Sequence, residues 1–287
     1  MSIELVGVVG AGTMGHGIAQ VFAVAGFDVV LRDVTVELAR KGRDSIAADF
    51  GRLVAKGVMD AEGTAAALAR VRATADLAEL AAVDLAIEAA TENPVIKRAL
   101  FTELDATVKA GAILATNTSS ISVTMIAAAT SRPDAVIGMH FMNPVPAMNL
   151  VEIIRALQTS DATYEAVRAL AETIGKVPVS AADFPGFISN RVLLPMINEA
   201  VYCLFEGVGT AEDIDKVMKL GMNHPLGPLA LADLIGLDVC LDILNVLFES
   251  FRDSKYRACP LLVKMVEAGY LGRKSGRGFY AYGHRGP

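Results

Sequence analysis

The sequence has few cysteines, no excess of positive charge and no long apolar run free of polar residues. The three cysteines, Cys203, Cys240 and Cys259, stand far apart, without a CxxC pair or a histidine cluster. This spacing favours neither a metal site nor a disulfide framework, and it fits a reducing compartment. A formal net charge of −6 argues against a nucleic-acid partner, because phosphate binding relies on clustered Lys and Arg.

The longest charge-free run, residues 111–131, contains TNTSSIS, whose polar groups a bilayer core would penalise. The chain also runs into a candidate strand without a preceding basic segment and cleavage site. We therefore expect a cytoplasmic protein with no membrane partner. With 53% hydrophobic residues among 287, the chain has ample material for a buried core.

Short β-rich segments alternate with longer Ala-rich segments through the first part of the chain, which predicts a doubly wound parallel sheet. The candidate strands are LVGVV, FDVVLRD, VDLAIEAA, AILATN, AVIGMHF, NLVEII and KVPVS, and residues 35–55 and 94–109 are candidate helices. The NPVP connection is too short for a helical crossover. The two strands beside it should therefore pair antiparallel, at the far edge of the sheet.

From Pro185 onward the pattern changes to long apolar-periodic segments: ISNRVLLPMINEAVYCLFEG, TAEDIDKVMKLG and LADLIGLDVCLDILNVLFESF. Thr210, followed by acids in the first turn, is typical of a helix N-terminus. Two stretches, LLPMINEAVYCLFEG and LDVCLDILNVLFESF, carry more apolar residues than one face of a small helical domain needs, which indicates a homodimer. We predict an α/β domain over residues 1–184 and a smaller all-helical dimerisation domain over 185–287, with DFPG at the boundary.

Three glycines, Gly10, Gly12 and Gly15, form GxGxxG directly after a strand and at the start of a helix. Such glycines allow a tight turn, close approach of a pyrophosphate, and close packing of helix on strand. Thr13 and Met14 lie in the same turn and are predicted to contact the cofactor. The first domain is thus predicted to be a doubly wound Rossmann-type NAD domain.

Asp33 ends the second candidate strand, 18 residues beyond Gly15. A carboxylate there can accept hydrogen bonds from the ribose hydroxyls and repels a 2′-phosphate, which favours NAD over NADP. The neighbouring Arg32 could accommodate that phosphate, and an ordinary strand-end aspartate is the alternative.

Polar residues also follow two later strands. Asn117 and Ser119 in ATNTSSIS stand at the carboxyl end of a candidate strand, where ligands bind in such sheets. We predict that they contact substrate or nicotinamide; a helix cap is the alternative. Glu92 and Lys97 begin the helix after IEAA and are candidate cofactor contacts, with solvated helix-end charge as the alternative.

His140 and Glu152 lie in VIGMHFMNPVPAMNLVEII, twelve positions apart and each in a short apolar segment. Two strands joined by a Pro-rich turn can fold back and bring this pair together. The pair is either a histidine held by a carboxylate for proton transfer or two polar residues with structural roles.

The motifs occur together in the order of a known family and span the chain nearly end to end. The chain resembles the short-chain L-3-hydroxyacyl-CoA dehydrogenases of the 3-hydroxybutyryl-CoA dehydrogenase type in GAGTMGHGIAQ, IEAATEN, ATNTSSIS, GMHFMNPVPAMNLVEII, DFPGFISNR, NHPLGPLALADLIGLD and GRKSGRGFYAY. The resemblance implies an N-terminal NAD domain and a helical C-terminal domain that forms a dimer.

By this resemblance His140 is the catalytic base, Glu152 is its partner, and Ser119 and Asn190 hold the 3-oxygen of the substrate. The implied reaction is the reversible, NAD-dependent oxidation of a short-chain (S)-3-hydroxyacyl-CoA to the 3-oxoacyl-CoA. For CoA the family uses basic residues after the second strand. Here Arg52 and Lys56, four apart, share a helix face, and Lys56 is the predicted contact, with ordinary surface charge as the alternative.

Two other functions stay open at this point. A dehydrogenase of the same fold that acts on 3-hydroxyadipyl-CoA, or on a free hydroxy acid such as L-gulonate, would keep these motifs, because they handle only the carbinol. A non-catalytic nicotinamide-binding protein would be expected to lose the His–Glu pair, and both residues are present.

Overall fold

The computed structural model describes residues 3–283. Contacts divide the chain between Phe184 and Pro185 into two compact units, and each has its own apolar core. The outermost residues of the two predicted domains, 1–2 and 284–287, lie outside the described residues.

The first unit is built on a single sheet. Its strands are β1 (Leu5–Val9), β2 (Asp28–Arg32), β3 (Val71–Thr74), β4 (Leu85–Glu88), β5 (Ile113–Thr116), β6 (Val136–Phe141), β7 (Leu150–Arg155) and β8 (Val177–Ala182). They lie in the order β3-β2-β1-β4-β5-β6-β7-β8, and the pairs are parallel except β6–β7, which is antiparallel. Between β1 and β4 the strand order reverses, which opens a crevice beyond their carboxyl ends.

Two sequence predictions about the sheet need correction. The antiparallel pair does not lie at the far edge, because β8 returns through a helix and adds parallel to the outer side of β7. The strand β3 was missed: VRAT has only four residues, and its exposed Arg72 interrupts the apolar pattern. The predicted fold class, a doubly wound sheet followed by helices, is confirmed.

Within residues 3–184, six α-helices accompany this sheet: α1 (Thr13–Val24), α2 (Val36–Ala55), α3 (Ala61–Ala69), α4 (Pro94–Thr107), α5 (Val123–Ala127) and α6 (Asp161–Thr173). Local sequence explains where they begin. The Thr35 hydroxyl accepts a hydrogen bond from the Leu38 N–H, and the Asn93 side chain caps α4 just before Pro94.

The second unit consists mainly of helices: α7 (Ser189–Phe205), α8 (Ala211–Gly221), α9 (Pro228–Ile235), α10 (Leu237–Phe251) and α11 (Pro260–Glu267). Thr210 caps α8 through the Asp213 N–H, as its sequence predicts. The apolar-periodic segment over residues 231–251 is divided between two helices, because Gly236 has φ +108°, which ends α9 and redirects the chain. Among the described residues, no helix is long and apolar enough to span a bilayer.

Candidate active site

The predicted histidine–glutamate pair is assembled by the antiparallel ladder. His140 on β6 stands directly opposite Glu152 on β7, and its Nδ1 lies 2.7 Å from Oε2 of Glu152. Both residues are buried, with 8% and 1% of their surfaces exposed. An ionised carboxylate can only accept, so the hydrogen lies on Nδ1 and Nε2 keeps its lone pair. The arrangement produces an imidazole whose Nε2 can act as a base.

A buried lysine, Lys176, binds main-chain carbonyl groups of the connection between β6 and β7. Lys176 Nζ donates to the carbonyl oxygens of Val145 at 2.6 Å and Met148 at 2.7 Å. Burial lowers the pKa of Lys176 from its ordinary value. On the other side, a Cβ added at Gly17 of α1 would lie 3.0 Å from Val145 Cβ. The hairpin that carries the pair is therefore packed closely against the helix that follows the glycine motif.

Asn117 joins the ends of three strands. Its side-chain oxygen accepts the Phe141 N–H at 2.9 Å, next to His140, and its own N–H donates to the Glu88 carbonyl at 2.7 Å. The neighbouring Ser119 donates its N–H at 2.7 Å and its hydroxyl at 3.1 Å to Oε1 of Glu92. The structure thus brings these predicted residues to the carboxyl ends of β4, β5 and β6, where His140 also lies.

The helix cap that is the alternative role for ATNTSSIS is supplied by Ser122 of this segment, not by Asn117 or Ser119. Ser122 caps α5 by accepting the Met125 N–H, and Asp183 adds a second cap. The Asp183 carboxylate accepts the N–H groups of Val123 at 3.0 Å and Thr124 at 2.7 Å, and the Ser122 hydroxyl at 2.8 Å. The end of the first unit is thereby fixed to the segment that follows Ser119.

A buried ion pair lies at the carboxyl ends of β4 and β5. Lys97 Nζ donates to both carboxylate oxygens of Glu88, at 2.8 and 2.6 Å, while the Ala90 N–H and the Thr116 hydroxyl donate to the same carboxylate. Glu92 lies 3.7 Å from Lys97 Nζ and has a half-exposed side chain. The lysine is buried, so the interpretation as solvated helix-end charge is wrong for Lys97.

The glycine loop has the shape that a dinucleotide pyrophosphate requires. Gly10 has φ +97°, and a Cβ there would lie 2.7 Å from the Ala89 carbonyl oxygen; a Cβ at Gly15 would overlap the Gly10 carbonyl. Around Gly12 a Cβ would meet no heavy atom within 4 Å, so the approach from solvent is open. Thr13 and Met14 form the first turn of α1, which directs N–H groups and positive dipole to this opening.

Asp33 stands beside this loop at the end of β2. Its carboxylate accepts the N–H groups of Ala11 and Val34, both at 2.7 Å, and it is only partly buried. Remaining lone pairs on the two oxygens can accept ribose hydroxyls. Arg32 Nε instead donates to the Ala75 carbonyl at 3.3 Å. The open glycine turn and this carboxylate fit NAD.

Two predicted substrate contacts lie away from these residues in the chain. Lys56 is exposed at the C-terminal end of α2, where its neighbour Arg52 forms an ion pair with Asp49. Asn190 lies in the second unit, in the first turn of α7. The roles of both stay predictions.

Sequence reasoning missed three residues that support the site: Glu88, Lys176 and Asp183. A signal was present for Glu88, since an acid at the end of an otherwise apolar strand must find a partner when buried. Lys176 was read only as the start of a strand and Asp183 only as part of a linker. Apart from the Ser122 hydroxyl, their partners are main-chain groups distant in sequence, which side-chain patterns do not reveal.

The described residues include no group of three or more His, Cys, Asp or Glu side chains that could hold a metal ion. The three cysteines are free thiols, and burial raises the pKa of Cys240 to about 12.

Comparison with known proteins gives a consistent result over both units. Residues 5–184 match the family model for the NAD binding domain of 3-hydroxyacyl-CoA dehydrogenase, and residues 186–282 match its C-terminal domain. A 3-hydroxybutyryl-CoA dehydrogenase of Bradyrhizobium diazoefficiens is 56% identical over 98% of this chain and 96% of its own. A probable 3-hydroxybutyryl-CoA dehydrogenase of Bacillus subtilis is 55% identical over 98% of both chains. The crystal structure of an (S)-3-hydroxybutyryl-CoA dehydrogenase from Ralstonia eutropha has a TM-score of 0.96 and 52% identity, covering 99% of this chain and 100% of its own.

Proposed function

The chain belongs to the 3-hydroxyacyl-CoA dehydrogenase family, an NAD-dependent oxidoreductase family, and on this premise we propose that it oxidises (S)-3-hydroxybutyryl-CoA reversibly to acetoacetyl-CoA. The observation that carries the proposal is the buried His140–Glu152 pair, which lies at the end of the sheet where β4, β5 and β6 terminate, the end that also presents Ser119. The names of the relatives that match over nearly the whole chain support the short acyl group.

His140 acts as the general base. Nε2 takes the proton of the 3-hydroxyl group, and the carboxylate of Glu152 on Nδ1 stabilises the imidazolium that forms. NAD, when bound, accepts the hydride that leaves the same carbon. The products are the 3-oxoacyl-CoA, NADH and a proton, and the reverse reaction returns the proton from His140 to the oxygen.

Ser119 and Asn190 hold the 3-oxygen in this proposal. A hydroxyl and a carboxamide can each donate a hydrogen bond to the developing carbonyl oxygen. The hydrogen bond from the Ser119 N–H to Glu92 supports its part, because it fixes the residue at the carboxyl end of β5. The hydroxyl, which donates to Glu92 in this structure, turns to donate its one hydrogen to the 3-oxygen when substrate binds. Lys56 contacts an anionic group of CoA. The ion pair of Arg52 with Asp49 favours Lys56 of the two basic residues on that helix face.

The proposal includes two domains, residues 1–184 and 185–287, in a cytoplasmic homodimer formed by the second domain. Apolar residues exposed on or beside α8 support the dimer, namely Val208, Val217, Leu220 and Met222. Val217 also lines an apolar cavity of about 480 Å³ between α7 and α8. Light scattering should give twice the mass of one chain, and Val217→Glu should lower it, whereas Lys216→Glu on the same helix should not. A monomer in the unaltered protein would contradict the dimer.

Steady-state kinetics with a substrate panel tests the activity. NADH oxidation should be fastest, by kcat/KM, with acetoacetyl-CoA, and slower with longer 3-oxoacyl-CoA esters and with 3-oxoadipyl-CoA. L-gulonate with NAD should give no turnover. A higher kcat/KM for 3-oxoadipyl-CoA or for L-gulonate would overturn the substrate assignment, and absence of all turnover in a folded, NADH-binding protein would overturn the activity.

A further inference from the structure

A charge triad at the carboxyl ends of β4 and β5 consists of Glu88, Lys97 and Glu92. The positive charge of Lys97 balances the buried carboxylate of Glu88, so the triad has a net charge of one negative unit. Glu88 is fully buried, and its carboxylate receives two hydrogen bonds from Lys97 Nζ and one each from Ala90 and Thr116. A lysine bound this closely by a buried carboxylate contributes little net field beyond the pair. The charge of Glu92 is therefore the net charge of the triad.

Glu92 differs from Glu88 in its exposure. Its side chain is 47% exposed, and its oxygens are held by the Thr118 hydroxyl at 2.8 Å and by the N–H and hydroxyl of Ser119. Lys97 Nζ is 3.7 Å away, within ion-pair distance but too far for a hydrogen bond. Glu92 is thus oriented toward the loop after β5 and stays accessible to a ligand.

The strand order indicates that the triad lies on the nicotinamide side of the cofactor crevice. Asp33, the ribose-binding candidate, ends β2 on one side of the reversal point. Because a dinucleotide lies across this point, its nicotinamide end belongs to the β4–β5 side. The glycine turn abuts the segment after β4, since a Cβ at Gly10 would lie 2.7 Å from Ala90 Cα. Glu92 therefore faces the half of the crevice that takes the nicotinamide.

We propose that Glu88 is a positioning residue that binds Lys97 so that the triad keeps a net negative charge on Glu92, and that this charge shifts the affinity of the site toward the oxidised cofactor. The oxidised nicotinamide ring carries a positive charge and the reduced ring carries none, so a nearby carboxylate stabilises only the oxidised form. The inference rests on the NAD-dependent reaction proposed above.

The test measures the selectivity ratio, defined as the Kd of NADH divided by the Kd of NAD. The chain has no tryptophan, so NADH binding can be followed by the fluorescence of the cofactor itself, and NAD by competition. Glu92→Gln should lower the ratio by about 3–10-fold, the range expected for a half-exposed charge. Glu88→Gln should lower it similarly, because Lys97 is then released to pair with Glu92.

A charge-restoring variant separates this effect from simple damage to the fold. Glu88→Gln/Lys97→Met leaves Glu92 as the net charge again, so its ratio should return to within about twofold of the unaltered protein, even if both affinities fall. Glu103→Gln, which removes the same charge from an exposed position farther along α4, should leave the ratio unchanged. Should Glu88→Gln fail to fold, Glu92→Gln and the double variant still decide the question.

An unchanged ratio in Glu92→Gln, or a double variant whose ratio stays below that of the unaltered protein by threefold or more, would overturn the inference alone. Failure of the unaltered, folded protein to bind NADH would overturn the NAD-dependent reaction as well, so the two failures are distinguishable.

Discussion

Removal of the charge from Glu152 should slow turnover without weakening cofactor binding. In Glu152→Gln the side chain keeps its size, but the 2.7 Å contact with Nδ1 loses the carboxylate that stabilises the imidazolium. A hydrogen bond to a charged group contributes about 1.5–3 kcal/mol, which corresponds to a fall in kcat of about 10–150-fold. His140→Ala removes the base itself and should lower kcat by about 10²–10⁴-fold.

The assay compares kcat for acetoacetyl-CoA reduction with the Kd of NADH in the same preparations. Thermal melting with and without NADH shows whether each variant is folded and still binds cofactor. This control matters because Glu152 is buried in β7, where a changed side chain could disturb packing. His224→Ala, a histidine of the second unit, is the matched control and should retain turnover.

The double variant gives the sharpest outcome. Once the base is absent its partner has nothing left to orient, so His140→Ala/Glu152→Gln should be about as slow as His140→Ala alone. A folded, cofactor-binding His140→Ala protein with near-normal turnover would refute the mechanism. Additive losses in the double variant would show that Glu152 acts independently of His140.

Three further outcomes are expected. NADH should be preferred over NADPH by about 1–3 kcal/mol in kcat/KM, and Asp33→Ala should narrow the gap; equal values in the unaltered protein would contradict the role of Asp33. Glu88→Gln should lower the free energy of unfolding by about 3–5 kcal/mol in urea titration, with partial recovery when its lysine partner becomes Met; no loss would show that the pair is dispensable. Desolvation would raise the pKa of Asp105, but hydrogen bonds from Ser131 and Arg132 outweigh it and hold the pKa below its ordinary 3.8. The stabilisation is therefore present above pH 3.8 and lost as pH falls below it, so the penalty of Asp105→Asn in thermal melting should shrink in acid.

Periodicity and turn chemistry were sufficient for most of the fold, and the reasons are local. The glycine motif, the cap at Thr210 and the short NPVP connection each act within a few residues. The errors arise where distant contacts decide. The edge strand β3 owes its conformation to pairing with β2, and the position of β8 outside β7 depends on where a crossover helix can pack.

The same division applies to the site. The proximity of His140 and Glu152 could be predicted because a single antiparallel strand pair brings them together. The glycine motif could be predicted because a tight turn requires those glycines. The residues that support the site, such as Glu88 and Asp183, could not be predicted in this way. Glu88 finds its lysine nine positions on and its threonine 28 positions on, while Asp183 binds main-chain groups about sixty residues back. Such partners become neighbours only when the sheet is assembled.

The interior position of β6 determines when this strand unfolds relative to the rest of the first unit. All six residues of this strand are buried, and it pairs on both sides, with β5 and β7. Its amide hydrogens should exchange with deuterium only through global unfolding of the first unit, whereas the four-residue β3 at the end of the sheet can exchange by local opening. His140 therefore belongs to the last part of this unit to unfold, and a molecule whose β3 has separated from β2 still keeps His140 hydrogen-bonded to Glu152.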